Sequence, residues 1–481
     1  MRLLPLVIVA ITLLLAPTGV LADPPKLDPK PIDTFKDLGT AQPGVIYSAQ
    51  SRALGISESE RRDRPIRYLF RVPPGFSTNK PRNVIIVLHP DNADERWAFM
   101  THDPATFRPD DIVVCPEGSS PVAESLRSFR GDAPDAVSMR DFVLEMSRAF
   151  PTAAIILYGH GEGGQFAIWL AGEFPRMIDG VVASSSAAWE KSRSRGSIWG
   201  VPIVFVHGTA DTKIFYRDAV LARDAYLEDG HPRVALRSLR GGDHKPHPAE
   251  AARCIDWCIA QRIDDPAVVL ACAQRLAAPQ DGEFAAPLGL ASRALKRLFD
   301  KETKPPLKEV DEATRKVAWD LSLRIEAYAQ RHVDILKAQI KSNTDLKLDP
   351  KATGPEQGWL GHISAVSEDL RNIEAVDTYL AAIGFDQAAA EHADKAAEVI
   401  EAVVSGETLT AEKVTAIVEG APDMFLCDAF GPDFFDQFEQ LRKRSDRNRD
   451  QIATKAGIVQ VWREALENGR ATYARIAREW K

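Results

Sequence analysis

Four glycines in the stretch "LYGHGEGGQFA" (Leu157 to Ala167) constrain the fold of this chain strongly. An apolar run, "AAIILY", precedes them, and a helix-like stretch from Gln165 to Phe174 follows. Glycine is favoured where a chain must adopt a positive φ or where two backbone segments approach closely. The stretch therefore predicts a buried strand, a sharp turn and a helix.

Similar apolar runs recur between residues 66 and 208. They are "IRYLFRV", "NVIIVLHP", "DIVVCPEG", "AAIILYG", "GVVASSS" and "VPIVFVHG", and most are bounded by Gly, Pro or Asp. Continuous runs of Val, Ile and Leu are typical of strands buried on both faces. Helix-like stretches lie between them, including Ala136 to Phe150 and Tyr216 to Glu228. This alternation predicts an α/β fold, with a mostly parallel sheet and helices on both faces.

A chain of 481 residues is too long for one ordinary core, so more than one domain is expected. We expect an α/β domain over residues 61–265, a helical connector over 266–307 and an all-α C-terminal domain over 308–481, which could bind a protein partner. In this last region apolar residues at three- and four-residue spacing predict a long amphipathic helix. They are Val317, Leu321, Ile325, Tyr328, Leu336 and Ile340, with His332 as the exception.

The N-terminus resembles a targeting segment. Arg2 is followed by an apolar run from Leu3 to Leu15 and by small residues up to Ala22. This pattern predicts a signal peptide over residues 1–22, and hence a secreted or periplasmic protein. An uncleaved anchor is the alternative, although the run is shorter than the roughly 20 residues of a membrane span. Residues 23–60, which are rich in Pro, Lys and Asp, are expected to form an extended leader.

Charge and cysteine content exclude some classes of partner. The net charge of −8 gives no general attraction to nucleic acid, and no later segment is apolar enough to span a membrane. The chain has five cysteines, an odd number, and cysteines form disulfides in an oxidising compartment. At least one thiol should therefore be free. Among Cys254, Cys258 and Cys272 one disulfide is possible, with buried free thiols as the alternative.

Polar residues follow the predicted strands, where ligands gather in an open parallel sheet. They are His89, Glu117, His160, the run Ser184 to Ser186, Asp211 and the segment "GGDHKPH". His244 and His247 with Asp243 could bind a metal, but their spacing matches no zinc signature, so neither a metal nor another cofactor is expected. A glycine-flanked turn, then Asp211, then His244 is the order nucleophile, acid, base of α/β-hydrolases.

The motifs "NVIIVLHP", "YGHGEGGQFA", "PIVFVHGTAD" and "GGDH", in this order, resemble secreted esterases of the feruloyl-esterase and polyhydroxybutyrate-depolymerase type. The resemblance extends from Ile66 to Arg262 and implies an α/β-hydrolase-type sheet. It implies that Asp211 orients His244, which would be the base.

The resemblance also implies two backbone N–H donors for the oxyanion of an acyl-transfer reaction. One is the N–H of Glu162, and the other comes from the turn His89-Pro90-Asp91. Because proline has no N–H, Asp91 or a later residue would have to donate. His89 and His160 would lie in the same cleft.

The chain departs from this family at the central residue of the turn. Gly161 stands where these esterases have their nucleophilic serine, so covalent acyl transfer is excluded unless another hydroxyl reaches His244. Glu162 is expected to begin the helix and to point away. We therefore expect a pseudo-hydrolase that binds an ester, saccharide or peptide in its cleft. The alternative is an active ester hydrolase that uses a serine from the run Ser184 to Ser186, or a water activated by His244 and Asp211.

Overall fold

The computed structural model describes residues 27–52, 65–91, 93–121, 127–188, 200–208, 211, 213–214, 216–239, 242–279, 285–300, 302–345, 370 and 373–382. The expected signal peptide and residues 383–481 lie outside these ranges.

Strands in the described residues form one nine-stranded sheet and one two-stranded hairpin. In chain order they are β1 (Lys30–Pro31), β2 (Tyr47–Gln50), β3 (Arg67–Arg71), β4 (Arg82–Leu88), β5 (Ile112–Pro116), β6 (Ser120–Pro121), β7 (Arg127–Ser128), β8 (Thr152–His160), β9 (Gly180–Ser184), β10 (Ile203–Gly208) and β11 (Val234–Leu239). The sheet order is β1-β2-β3-β5-β4-β8-β9-β10-β11, and β6 pairs with β7. The six strands from β5 to β11 in this order run parallel, whereas β3 is antiparallel to both β2 and β5.

The described helices separate or follow these strands. They are α1 (Glu95–Thr101), α2 (Pro104–Phe107), α3 (Ala133–Ala149), α4 (Glu162–Glu173), α5 (Tyr216–Glu228), α6 (Pro248–Arg262), α7 (Pro266–Ala277), α8 (Leu288–Phe299), α9 (Glu312–Asp345) and α10 (Glu374–Ala382). The predicted helices correspond to α3, α4 and α5. None of the described helices is both long and apolar enough to cross a membrane.

The two faces of the sheet bury separate hydrophobic clusters. Along β8, Ile156 and Tyr158 face the cluster that contains α6 to α10, whereas Ile155 and Leu157 face the cluster that contains α3, α4 and α5. Such alternation is the period-two pattern of a strand covered on both sides. The fold is therefore a mostly parallel α/β sheet with helices on both faces, as predicted.

Two parts of the sheet were not predicted from the sequence. Residues expected in the leader form β1 and β2 at the sheet edge, where Tyr47 and Ala49 are buried. In β11 the charged Arg237 interrupts the apolar run, yet its side chain is buried and forms a 2.7 Å ion pair with Glu250. A strand with a paired internal charge gives no continuous apolar signal.

The long helix α9 was predicted, but its buried face is rotated from the predicted one. Ala318, Leu321, Ile325, Ala329 and Val333 are buried, and they share the cluster of α6 to α8. Val317 and Tyr328, which the spacing assigned to the buried face, are 39% and 44% exposed. The two alanines allow close helix contact, so they take the positions that larger residues were expected to fill.

Four of the five cysteines lie in the described residues, and all four are buried free thiols: Cys115, Cys254, Cys258 and Cys272. The possible disulfide is therefore not formed there, and the alternative of buried thiols is confirmed for these four residues.

Candidate functional site

The predicted turn joins β8 to α4 at Gly161. Gly161 has φ +57° and ψ −125°, a conformation that glycine adopts at low cost. Its N–H donates to the carbonyl of Ser184 at 2.9 Å, at the end of the neighbouring strand β9. Its carbonyl accepts hydrogen bonds from Gly164 and Gln165 and so starts the helix. The stretch from Leu157 to Ala167 is thus a sharp strand-to-helix turn.

The glycines of this turn differ in how much space a Cβ atom would have. A Cβ at Gly159 would lie 2.2 Å from the carbonyl oxygen of Gly163, and one at Gly163 would lie 2.5 Å from that of Leu88. At Gly164 it would lie 2.7 Å from the side chain of Ser186. At Gly161 the nearest atom is Cβ of Pro90, at 3.4 Å. Close packing therefore requires glycine at three positions of the turn, whereas the fourth has room for a side chain.

Asp211 and His244 form a hydrogen-bonded pair. Nδ1 of His244 lies 2.8 and 3.0 Å from the two carboxylate oxygens of Asp211, to which it donates. The carboxylate is fully buried after β10 and also accepts the N–H groups of Lys213 and Ile214. Burial raises the pKa of Asp211, but the hydrogen bond from His244 and the charges around it outweigh this effect and hold the pKa below its usual value. The pairing leaves Nε2 of His244 as the proton acceptor.

Two other histidines lie beside this pair. The ring of His160, the residue before Gly161, lies 5.0 Å from that of His244 and 6.0 Å from that of Trp97. Burial and the neighbouring His244 lower the pKa of His160 to about 3, so its ring is neutral at pH 7. Nε2 of His207 lies 3.8 Å from Asp211, and its Nδ1 donates to the carbonyl of Gly208. His160 thus connects the turn with the Asp211–His244 pair.

His89 braces the turn after β4. It is fully buried, its Nδ1 donates to the carbonyl of Pro90 at 2.9 Å, and its Nε2 accepts the N–H of Gly118 at 3.1 Å. Burial lowers the pKa of His89. Both ring nitrogens are therefore used to fix the backbone rather than to contact a ligand.

Glu162 begins α4, as expected, but its side chain does not point away. Oε2 of Glu162 accepts the N–H of Asp91 at 3.4 Å, across the turn. The carboxylate of Asp91 in turn accepts the hydroxyl of Ser128. The expectation that Glu162 points away is wrong because a carboxylate in the first turn of a helix is attracted to unpaired backbone N–H groups nearby.

Comparison with known proteins gives only distant structural similarity. No family model matches the chain, and no curated protein sequence matches it. Among solved structures it is similar to an S-formylglutathione hydrolase from Agrobacterium tumefaciens, with 14% identity, a TM-score of 0.35, and coverage of 44% of this chain and 94% of that one. A ferulic acid esterase from Anaeromyces mucronatus has 14% identity, a TM-score of 0.34, and coverage of 45% and 92%. Est1E from Butyrivibrio proteoclasticus has 12% identity, a TM-score of 0.33, and coverage of 44% and 99%.

The remaining candidates form no hydrogen bond with His244. Ser184 and Ser185 are buried, with the Ser184 hydroxyl close to that of Tyr158, while Ser186 donates to the carbonyl of Ala187. None of the three is hydrogen-bonded to His244. Glu117 forms an ion pair with Arg67. Within the described residues no group of three His, Cys, Asp or Glu side chains is arranged to hold a metal ion.

Three residues at the site were not identified from the sequence. Trp97 lies beside His160, Ser128 binds Asp91, and His207 lies near Asp211. His207 could have been found, because it occupies the end of a predicted strand just as His89 and His160 do. Trp97 and Ser128 lie in or after loops whose paths no sequence pattern specifies.

Proposed function

We propose that this chain is a pseudo-hydrolase of the α/β-hydrolase fold, which binds an ester, saccharide or peptide ligand in its cleft without cleaving it. The observation that supports this most directly is a hydrogen-bonded Asp211–His244 pair near a turn whose central residue, Gly161, has no side chain. His244 could accept a proton, but no hydroxyl at the turn can supply one and attack a carbonyl.

Ester hydrolysis by the wild-type protein tests this proposal. With p-nitrophenyl acetate and butyrate, we expect turnover close to the buffer rate and little change on His244→Ala. A matched control, His332→Ala, removes a half-buried imidazole from α9. Turnover at ordinary esterase rates that is lost in His244→Ala and kept in His332→Ala would contradict the proposal.

A second candidate function is slow hydrolysis by a water that His244 activates. It is favoured by the 2.8 Å contact between His244 and Asp211, which fixes the imidazole tautomer needed in a base. Residual hydrolysis that falls at least tenfold in both His244→Ala and Asp211→Asn would support it. Equal residual rates in all three proteins would exclude it. Labelling of the run Ser184 to Ser186 by a fluorophosphonate would instead favour a displaced serine.

We propose further that the protein is secreted or periplasmic. The support is the signal-like pattern of residues 1–22. Expression of the full chain in a host with a secretory pathway should yield a mature protein that begins at Asp23, as measured by intact mass. A cytosolic product that retains Met1 or Arg2 would contradict this.

A further inference from the structure

The side chain of Glu162 accepts a hydrogen bond from one of the two backbone N–H groups that the resemblance assigns to the binding of an oxyanion. The resemblance gives these donors as the N–H of Glu162 and the N–H of Asp91 or a later residue, and Oε2 of Glu162 lies 3.4 Å from the nitrogen of Asp91. An oxyanion hole stabilises the negative charge that develops on a carbonyl oxygen during acyl transfer. Here a carboxylate oxygen already accepts the N–H of Asp91.

The loop that carries Asp91 is held in place by several contacts. The carbonyl of Pro90 accepts hydrogen bonds from His89 and from the N–H of Ala93. The carboxylate of Asp91 binds the hydroxyl of Ser128. Because these contacts fix the backbone on both sides of the Asp91 nitrogen, its N–H cannot easily turn away from Glu162.

The carboxylate of Glu162 forms no ion pair with any described residue, and the residue is only half-buried. The adjacent His160 is neutral, since burial lowers its pKa to about 3. Glu162 therefore places a negative charge beside the N–H of Asp91, where it would repel a second anion.

We propose that Glu162 is a specificity-determining residue, which excludes an ester oxyanion from the cleft and so blocks ester hydrolysis independently of Gly161. This inference rests on the proposed function, because it takes the cleft at Gly161 to be the ligand site. It narrows the ligand class to molecules that present a hydrogen-bond donor, such as a peptide amide N–H, toward Glu162.

Ester hydrolysis in a serine-containing background tests the proposal. Gly161→Ser alone should show little turnover of p-nitrophenyl butyrate, whereas Gly161→Ser with Glu162→Ala should be about 100-fold faster, since one oxyanion donor is worth at least this factor. Gly161→Ser with Glu162→Gln removes the charge but keeps the shape, and should lie between the two. The control Gly161→Ser with Gln165→Ala truncates another half-buried polar side chain in the first turn of α4 and should match Gly161→Ser.

The inference would be overturned if Gly161→Ser with Glu162→Ala turned over the ester at the same rate as Gly161→Ser alone. A lower rate in the double variant would also overturn it. If all serine variants are inactive, butyrate binding by calorimetry decides. Glu162→Ala in the native Gly161 background should then bind butyrate at least tenfold more tightly than the wild type, and equal affinities would overturn the inference. The proposed function is judged separately, from the turnover of the wild type and His244→Ala.

Discussion

The part of the candidate site around Asp211 and the part around Gly161 are held in place by different kinds of contact. Asp211 and His244 are fixed by hydrogen bonds between their own side chains. The turn at Gly161 is fixed by backbone atoms, which approach so closely that Gly159 and Gly163 have no room for a Cβ. A turn held by its backbone keeps its shape whatever its central side chain is, whereas a side-chain pair exists only while both residues remain.

The largest expected effect distinguishes the packed glycines from the open one. Gly159→Ala should lower the free energy of unfolding by about 3 kcal/mol, because the new Cβ would lie 2.2 Å from a carbonyl oxygen. Urea unfolding followed by circular dichroism measures this. Gly39→Ala is the matched control, since no atom lies within 4 Å of its Cβ position. Equal stability of the two variants would show that close packing does not hold the turn.

An intermediate effect concerns the neutral histidine between the two parts. The pKa of His160 is about 3 in the folded protein, below the value of 6.5 that it has when exposed. Below pH 6.5 the unfolded chain binds a proton at His160, whereas the folded protein does not until the pH approaches 3. The free energy of unfolding therefore keeps its full value above pH 6.5 and falls as the pH falls toward 3. Between pH 7 and pH 5 the wild type should therefore lose about 2 kcal/mol more unfolding free energy than His160→Gln. Equal losses in urea titrations at the two pH values would contradict the burial of a neutral His160.

The smallest expected effect is at Gly161 itself. Gly161→Ala places a side chain at a positive φ, which costs about 1 to 3 kcal/mol, and the lower entropy of the unfolded chain offsets part of this cost. We expect a net loss of about 1 kcal/mol in the same urea assay. A loss as large as that of Gly159→Ala would mean that the space beside Pro90 does not accommodate a Cβ, and would remove the contrast between the glycines.

The sheet was largely predictable because most of its strands are buried on both faces, which leaves uninterrupted apolar runs such as those of β4 and β8. Where burial depends on a partner, the pattern fails. Arg237 is buried in β11, where it forms an ion pair with Glu250, and the small residue Ala318 is buried in α9. Neither condition can be read from the local sequence.

At the candidate site, the sequence predicted which residues follow the strands but not where the side chains point. The pairing of Asp211 with His244 was implied by the resemblance of the motifs that contain them. The direction of Glu162 depends on the path of the loop at Asp91, which Ser128 and His89 fix from distant parts of the chain. Contacts of this kind arise only in the folded chain.

The open space at Gly161 also has a genetic consequence. The glycine codons GGU and GGC become the serine codons AGU and AGC through one base change, so a chain with serine in this turn is a single nucleotide away where either codon is used. The fold should accept that change, since the position already has the required backbone conformation and room for a Cβ. At position 162, a glutamate codon becomes an alanine codon through one base change, whereas a change to serine needs more than one. If the proposed function is right, hydrolysis in a mutant library is expected to arise through changes at position 161 together with changes at position 162.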